Sequence, residues 1–173
     1  VNSNLRSDFM DVYLGAKCSF CISTGTGYEE MPVIFRKPLV QLHAPFGDIV
    51  THSEKFFVLT RHHILKKENR KLSLSEIFSY GVAQAHDTKT FEQKGIELAD
   101  NTPEEIKDIV LEMVESLEVK KELNQYDEEL QKTFKSLYDS NIKNYPPFYG
   151  KFHRQIKSRF STKFLRENKN WLR

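Results

Sequence analysis

Two glycines and three hydroxyl residues stand between an apolar run and a helical pattern near the start of the chain. The apolar run is Phe20–Ile22, and the helical pattern begins at Tyr28. A buried strand, a glycine turn and a helix start, in this order, can form an anion site at the carboxyl edge of a parallel sheet. Glycine adopts positive φ and lets backbone N–H groups approach a ligand closely. The residues predicted to contact a phosphate or diphosphate are Thr24, Gly25, Thr26, Gly27 and Tyr28.

The same pattern is compatible with a plain strand-to-helix turn, in which Gly25 and Gly27 serve only the backbone. Glu29 and Glu30 fall in the first turn of the predicted helix Tyr28–Phe35. There they are either ligand contacts or exposed side chains that interact favourably with the helix dipole. Both interpretations stay open at this point.

His43 follows the second predicted strand, Leu39–Leu42. Because loops that follow parallel strands leave the sheet at one edge, we expect His43, Pro45 and Asp48 to lie at the same edge as Gly25. His43 is then a candidate diphosphate contact or proton donor. The alternative is an ordinary loop histidine that is satisfied locally.

No metal site and no cofactor is expected. Cys18 and Cys21 form a C-x-x-C pair at the predicted strand, where their odd offset points them to opposite faces, so reduced and partly buried thiols are predicted. His62 and His63 are adjacent, and neighbouring side chains diverge on a helix or a strand. No D-x-D pair is present that would chelate a divalent cation around a nucleotide sugar.

The composition predicts one globular domain. The chain has 173 residues, 39% of them apolar and 12% aromatic, and a net charge of only +2, which gives no whole-chain argument for nucleic-acid binding. No apolar run is long enough for a membrane span, and no signal peptide is visible. Because Val1 is not a methionine, we expect a processed product or a piece of a longer protein.

Helical and extended patterns alternate in the way that is typical of a parallel α/β sheet. A helix over Asp8–Ala16 is predicted, with Phe9, Val12 and Tyr13 as its apolar face. The other predicted helices are Ser73–Tyr80, Thr102–Leu117 and Gln125–Tyr138, and further extended segments are Phe56–Leu59 (strand or loop) and Ile96–Leu98.

The last 23 residues differ in composition from the rest. This tail has eight basic residues against one acidic residue, Glu167, and apolar side chains are interleaved with them. RNA binding, peripheral membrane contact and docking on another part of the protein are the alternatives. The spacing of Phe160, Phe164 and Leu165 favours docking. We therefore divide the chain into residues 1–150, a nucleotide-binding domain, and residues 151–173, a tail and helix.

Several segments, in this order along the chain, resemble a family of glycosyltransferases from bacterial surface-polysaccharide gene clusters. They are Leu5–Leu14, Ile22–Gly27, Pro32–Pro38, Leu72–Phe78, Asn101–Met113 and Arg159–Asn168. Each motif alone is loose, but together they span nearly the whole chain.

The resemblance implies a GT-B architecture, in which two Rossmann-like domains face each other across a cleft. The chain would be most of the carboxyl-terminal, donor-binding domain: a partial Rossmann-like parallel sheet flanked by helices. Thr24–Gly27 and the helix start would face the donor diphosphate. Glu29 and Glu30 fall where many such enzymes bind ribose.

The implied partners are a nucleotide-sugar donor and an N-terminal domain of the same polypeptide, and nucleic acid is not among them. The acceptor site and the catalytic base usually belong to that domain, so we expect no turnover by this part alone. Self-association through exposed apolar surface is expected in its absence. The expected location is the cytoplasm, with peripheral contact to the inner membrane as an open alternative, and a non-catalytic binding or scaffold module is the alternative function.

Overall fold

The computed structural model of the chain describes residues 7–118, 123–145 and 155–173, which form two sheets with helices around them. The larger sheet is parallel and contains, in spatial order, β1 (Cys21–Ser23), β2 (Leu39–Leu42), β3 (Phe56–Leu59) and β7 (Arg159–Phe160). The smaller sheet is antiparallel and contains β5 (Arg70–Lys71), β4 (His62–Leu65) and β6 (Ile96–Ala99). The α/β class and the parallel sheet are confirmed.

Seven α-helices belong to the described residues. They are α1 (Asp8–Lys17), α2 (Glu30–Ile34), α3 (Leu74–Ser79), α4 (Thr88–Gln93), α5 (Pro103–Glu118), α6 (Gln125–Ile142) and α7 (Thr162–Glu167). The predicted capping signals are confirmed for α3, where Ser73 Oγ accepts from the Glu76 N–H and Glu76 Oε2 accepts from the Ser73 N–H. None of these helices is long and apolar enough to span a membrane.

The core lies on both faces of the parallel sheet. All eight residues of β2 and β3 are buried, which is typical of central strands covered by helices on two sides. The one polar side chain among them, Gln41, is satisfied, because its amide donates to the Asp48 carbonyl and accepts from the Val50 N–H. The strands that lead to the carboxyl edge are therefore rigidly held.

The carboxyl-terminal tail is part of the same core. β7 pairs in parallel with β3, and Phe160, Phe164, Leu165 and Trp171 are buried, in agreement with the docking interpretation. The Gln131 side chain of α6 bonds both the carbonyl and the N–H of Phe160. The predicted boundary between residues 150 and 151 lies outside the described residues, as do Lys151, Phe152 and Arg154.

The predicted apolar face of α1 is wrong. Phe9 is 73% exposed and Tyr13 is 45% exposed, whereas the buried residue of α1 is Gly15, which packs against Met31 of α2. The predicted helix Tyr28–Phe35 is also too long, since α2 has five residues and leaves Ile34 68% exposed. The exposure of these side chains agrees with the position of β1, which is the last described strand on this side of the sheet.

Candidate functional site

The loops after β1 and β2 leave the parallel sheet side by side. Ser23 pairs with Gln41 in the register of these strands. Gly25 and His43 each follow two residues later, so they occupy corresponding positions beyond neighbouring strand ends. The predicted shared edge of Gly25 and His43 is therefore confirmed.

The loop after β1 uses its glycines as predicted. Gly25 has φ +81° and Gly27 has φ +95°, which L side chains rarely adopt. A Cβ at Gly27 would meet no atom within 4 Å, so the backbone angle, and not crowding within the chain, favours glycine there. Residues 24–28 are all exposed. The Tyr28 hydroxyl donates to the Asp11 carbonyl at 2.7 Å and ties the loop to α1.

Glu29 folds back into this loop and is only 6% exposed. Its Oε2 accepts hydrogen bonds from the Ser23 hydroxyl at 2.9 Å and from the Gly27 N–H at 2.8 Å. The Ser23 oxygen accepts in turn from the Gly25 N–H at 3.2 Å. The inner donors of the loop thus hold an anionic oxygen that belongs to the chain itself. Glu30, by contrast, is exposed at the first position of α2.

The helix that follows the loop contributes less to anion binding than the sequence predicts. A macrodipole arises from aligned peptide units, and α2 contains only five residues. The donors that define the anion position are therefore the Gly27 N–H and the Ser23 hydroxyl.

His43 combines two unusual features at the end of β2. Its φ of +62° lies in the left-handed region, and its Nε2 is buried without a hydrogen-bond partner among the described residues. Burial lowers the pKa of His43, and the positive charge of Arg61 lowers it further, against the opposing effect of Asp100. The ring is therefore neutral at pH 7. The backbone is held by the His43 N–H, which donates to the Leu59 carbonyl at 2.8 Å.

The loop that continues from His43 is fixed from several sides. The Tyr138 hydroxyl donates to the Phe46 carbonyl at 2.8 Å, and a Cβ at Gly47 would lie 2.5 Å from Gln84 Cγ. Asp48 has a buried Oδ1 without a described partner, and burial raises the pKa of this carboxyl against the effect of His86. This loop thus has two buried polar atoms, His43 Nε2 and Asp48 Oδ1, for which the described part of the chain provides no hydrogen-bond partner.

The chain after β3 carries a second polar cluster that the sequence did not indicate. Arg61 pairs with Asp100 at 2.8 Å, and His62 Nε2 lies 2.9 Å from Glu105 Oε2. Burial alone would raise the pKa of Glu105, but bonds from the Thr102 N–H and the His62 ring hold it below its usual range. His62 therefore has a local partner, which makes it a weaker ligand candidate than His43.

The cysteines are half-buried free thiols, as expected. Burial raises the pKa of Cys21, and neighbouring Cys18 and Glu29 raise it further, so Cys21 is a poor nucleophile at neutral pH. Within the described residues, no group of three or more His, Cys, Asp or Glu side chains could hold a metal ion.

A cavity of about 400 Å³ lies away from the predicted site, between α5, the start of α6 and α7. Its charged side chains are largely paired, Lys163 with Asp108 at 2.8 Å and Arg166 with Asp127. None of the predicted ligand residues lines it. Because its charged side chains bond each other, the cavity offers a ligand fewer available polar groups than the carboxyl edge of the sheet does.

Comparisons with known proteins do not narrow the function: no family model, no curated protein and no solved structure matches the chain. The resemblance to surface-polysaccharide glycosyltransferases therefore stays a prediction, as do the cytoplasmic location and the proposed partners.

Proposed function

We propose that the carboxyl edge of the parallel sheet binds the diphosphate of a nucleotide sugar, as the donor-binding part of a glycosyltransferase for surface polysaccharide. The observation that carries this proposal is the exposed loop after β1, residues 24–28, in which Gly25 and Gly27 have positive φ at the carboxyl edge of the sheet. Glycine loops that follow a strand of a parallel sheet let backbone N–H groups approach phosphate oxygens closely. The reaction class comes from the family resemblance.

The Glu29 carboxylate restricts where the diphosphate binds. Two unit charges 4 Å apart near a protein surface interact by about 4 kcal/mol, so a phosphate does not bind directly against Glu29. The diphosphate is instead assigned to the exposed side of the loop, residues 24–28. Glu29 orders that loop and, through Oε1, is the acidic residue assigned to ribose. Glu30 is exposed at the start of α2 and is assigned no contact.

The open edge of β1 fits the second domain that the resemblance implies. Among the described strands, β1 pairs only with β2. Among the described residues, eight of the eleven exposed large apolar side chains lie in α1, β1 and α2 or beside them, which favours a covered surface there. These side chains are Phe9, Val12, Tyr13, Leu14, Ile22, Tyr28, Ile34 and Phe35.

Calorimetric titration of UDP, GDP and ADP into the 173-residue chain tests the proposal. We expect one of them to bind and Gly27→Val to weaken that binding at least about tenfold, because a side chain blocks close approach and strains the positive φ. Gly95→Val is the matched control, since Gly95 also has a positive φ, +65°, with no atom within 4 Å of a Cβ. Failure of all three nucleotides to bind, or equal affinities of the two variants, would contradict the proposal.

A second candidate, a non-catalytic binding module, is favoured by the same exposed apolar surface. Such a module would bind a protein partner through α1 and α2 and would not bind nucleotides. The nucleotide titration therefore separates the two functions.

A further inference from the structure

The His43 side chain has a hydrogen-bonding atom, Nε2, that no other described residue contacts with a hydrogen bond. Nε2 is buried, and no described residue provides its partner. Buried polar atoms are nearly always paired, so an unpaired one calls for an explanation by function, water or a ligand. The backbone of His43 also lies in the left-handed region, at φ +62°. Non-glycine residues in that region are uncommon and concentrate at functional sites.

The position of His43 points to a ligand. It stands beside the glycine loop, because Gly25 and His43 follow paired residues of β1 and β2 by the same number of positions. The His43 N–H donates to the Leu59 carbonyl, which ties the backbone of this residue to β3. His43 thus lies at the end of the strand next to the loop that we assign to the donor diphosphate.

We propose that His43 is a donor-binding residue whose ring turns when the nucleotide binds, so that Nε2–H donates a hydrogen bond to a phosphoryl oxygen of the diphosphate. This inference rests on the proposed function and adds a specific contact to it. A phosphoryl oxygen only accepts hydrogen bonds, so it requires the neutral tautomer with the proton on Nε2, or the imidazolium.

The surroundings select the neutral ring. Burial and Arg61 lower the pKa of His43, and the only opposing charge described there, Asp100, is paired with Arg61 at 2.8 Å. His43 therefore contributes a directed hydrogen bond and no positive charge to phosphate binding. The backbone N–H groups of the loop are likewise neutral donors.

The left-handed backbone determines which variants are informative. His43→Gly removes the ring and keeps the conformation, while His43→Asn also tolerates it but presents a shorter donor. Arg36→Gly is the matched control, because Arg36 is exposed and has a similar φ of +57°. We expect His43→Gly to weaken binding of the tightest of UDP, GDP and ADP about tenfold, which is the loss expected for one hydrogen bond to a charged group. His43→Asn should lose less, and Arg36→Gly should lose nothing.

Two further measurements identify the contact. The corresponding nucleoside without phosphates should bind wild type and His43→Gly equally, since the contact is to phosphate; an equal loss for both ligands would overturn it. In ¹⁵N-labelled wild type, imidazole NMR should show the proton on Nε2, with a shift when the nucleotide is added. A proton on Nδ1 in the complex would also overturn the proposal.

The outcomes separate this inference from the proposed function. If wild type binds none of the three nucleotides, both fail together. If wild type binds and His43→Gly binds equally well, the contact alone is wrong and the donor-binding function stands. If His43→Gly does not fold, the affinity of His43→Asn and the tautomer measurement still decide whether His43 contacts the phosphate.

Discussion

At the scale of single residues, His63 gives the fold a dependence on pH. It lies on β4, is only 7% exposed, and its ring contacts Phe46 and Phe91. Burial lowers the pKa of His63 to about 4, with a smaller contribution from His62, although the Arg61 carbonyl opposes the change. An unfolded histidine has a pKa near 6.5, so the unfolded chain binds the proton more readily.

We therefore expect the free energy of unfolding to fall as the pH drops from about 6.5 to 4, by up to about 3 kcal/mol from this residue. Above pH 6.5 this contribution is fully present. His63→Gln should flatten the acid-side loss in urea unfolding followed from pH 7.5 to 4.5. The exposed His52, changed to Gln, is the control. An unchanged pH slope in His63→Gln would contradict the expectation.

Residues of the candidate site differ in how far the sequence reveals them. Positive φ at Gly25 and Gly27 could be predicted, because glycine between a strand and a helix is typical of such turns. The burial of Glu29 could not, since an acid in a first helical turn is usually exposed and its partners, Ser23 and the Gly27 N–H, depend on the loop conformation. The unpaired Nε2 of His43 likewise becomes visible only when the packing around it is known.

At the scale of elements, the sequence predicts best the helices and strands that a local signal alone determines. The capping boxes of α3 and α5 and the apolar run of β2 are such signals, and these elements are confirmed. Phe56–Leu59, which the sequence leaves open between a strand and a loop, is the strand β3. β4 was missed because it begins with His62 and His63, which resemble a polar loop. The burial of these histidines depends on residues that are distant in the sequence. His62 contacts Glu105, and His63 contacts Phe46 and Phe91.

Two acidic side chains, Asp127 and Glu112, hold α7 to the rest of the fold, and Glu112 does so at the start of the helix. Glu112 of α5 accepts hydrogen bonds from the N–H groups of Thr162 and Lys163, at 2.9 and 2.8 Å, and from the Ser161 hydroxyl. It thus caps α7 from another helix. Burial raises the pKa of Glu112, although these hydrogen bonds oppose the change.

Glu112→Ala should lower the free energy of unfolding by about 2 kcal/mol, because it removes a cap and takes the hydrogen-bond acceptor from the N–H of buried Thr162. Glu118→Ala, at an exposed position of the same helix, is the control and should change stability by less than about 0.5 kcal/mol. Fluorescence of Trp171, the one tryptophan of the chain, reports on the tail during urea unfolding. Equal stabilities of the two variants would show that Glu112 does not hold α7.

At the scale of the whole molecule, the apolar residues are unevenly distributed. The described part of the tail, which the sequence marks as basic, buries Phe160, Phe164 and Trp171. By contrast, α1 leaves Phe9 and Tyr13 exposed. An isolated sequence does not distinguish these cases, since both segments have helical apolar spacing. What differs is the sheet: β7 places the tail beside the central strand β3, while β1 is the last described strand on the other side.

This exposed face leads us to expect that the 173-residue chain, produced alone, self-associates as its concentration rises. Phe9 is 73% exposed and Ile34 is 68% exposed, and exposed apolar patches of this kind drive association. Phe9→Glu combined with Ile34→Lys should weaken association while favouring each helix end, because an acid suits a first helical turn and a base a last one. Light scattering after size exclusion, over a range of loading concentrations, measures the effect.

The control is a pair of the same substitutions on α5, Leu111→Glu with Leu117→Lys, at side chains that are 46% and 44% exposed. If general hydrophobicity drives association, both double variants will reduce it equally, and the face of α1 and α2 has no special role. If that face is the contact, only the first pair will yield a monomer at high concentration. A wild-type chain that is monomeric throughout would show that these side chains are tolerated in water, and the argument for a covering domain would lose its structural support.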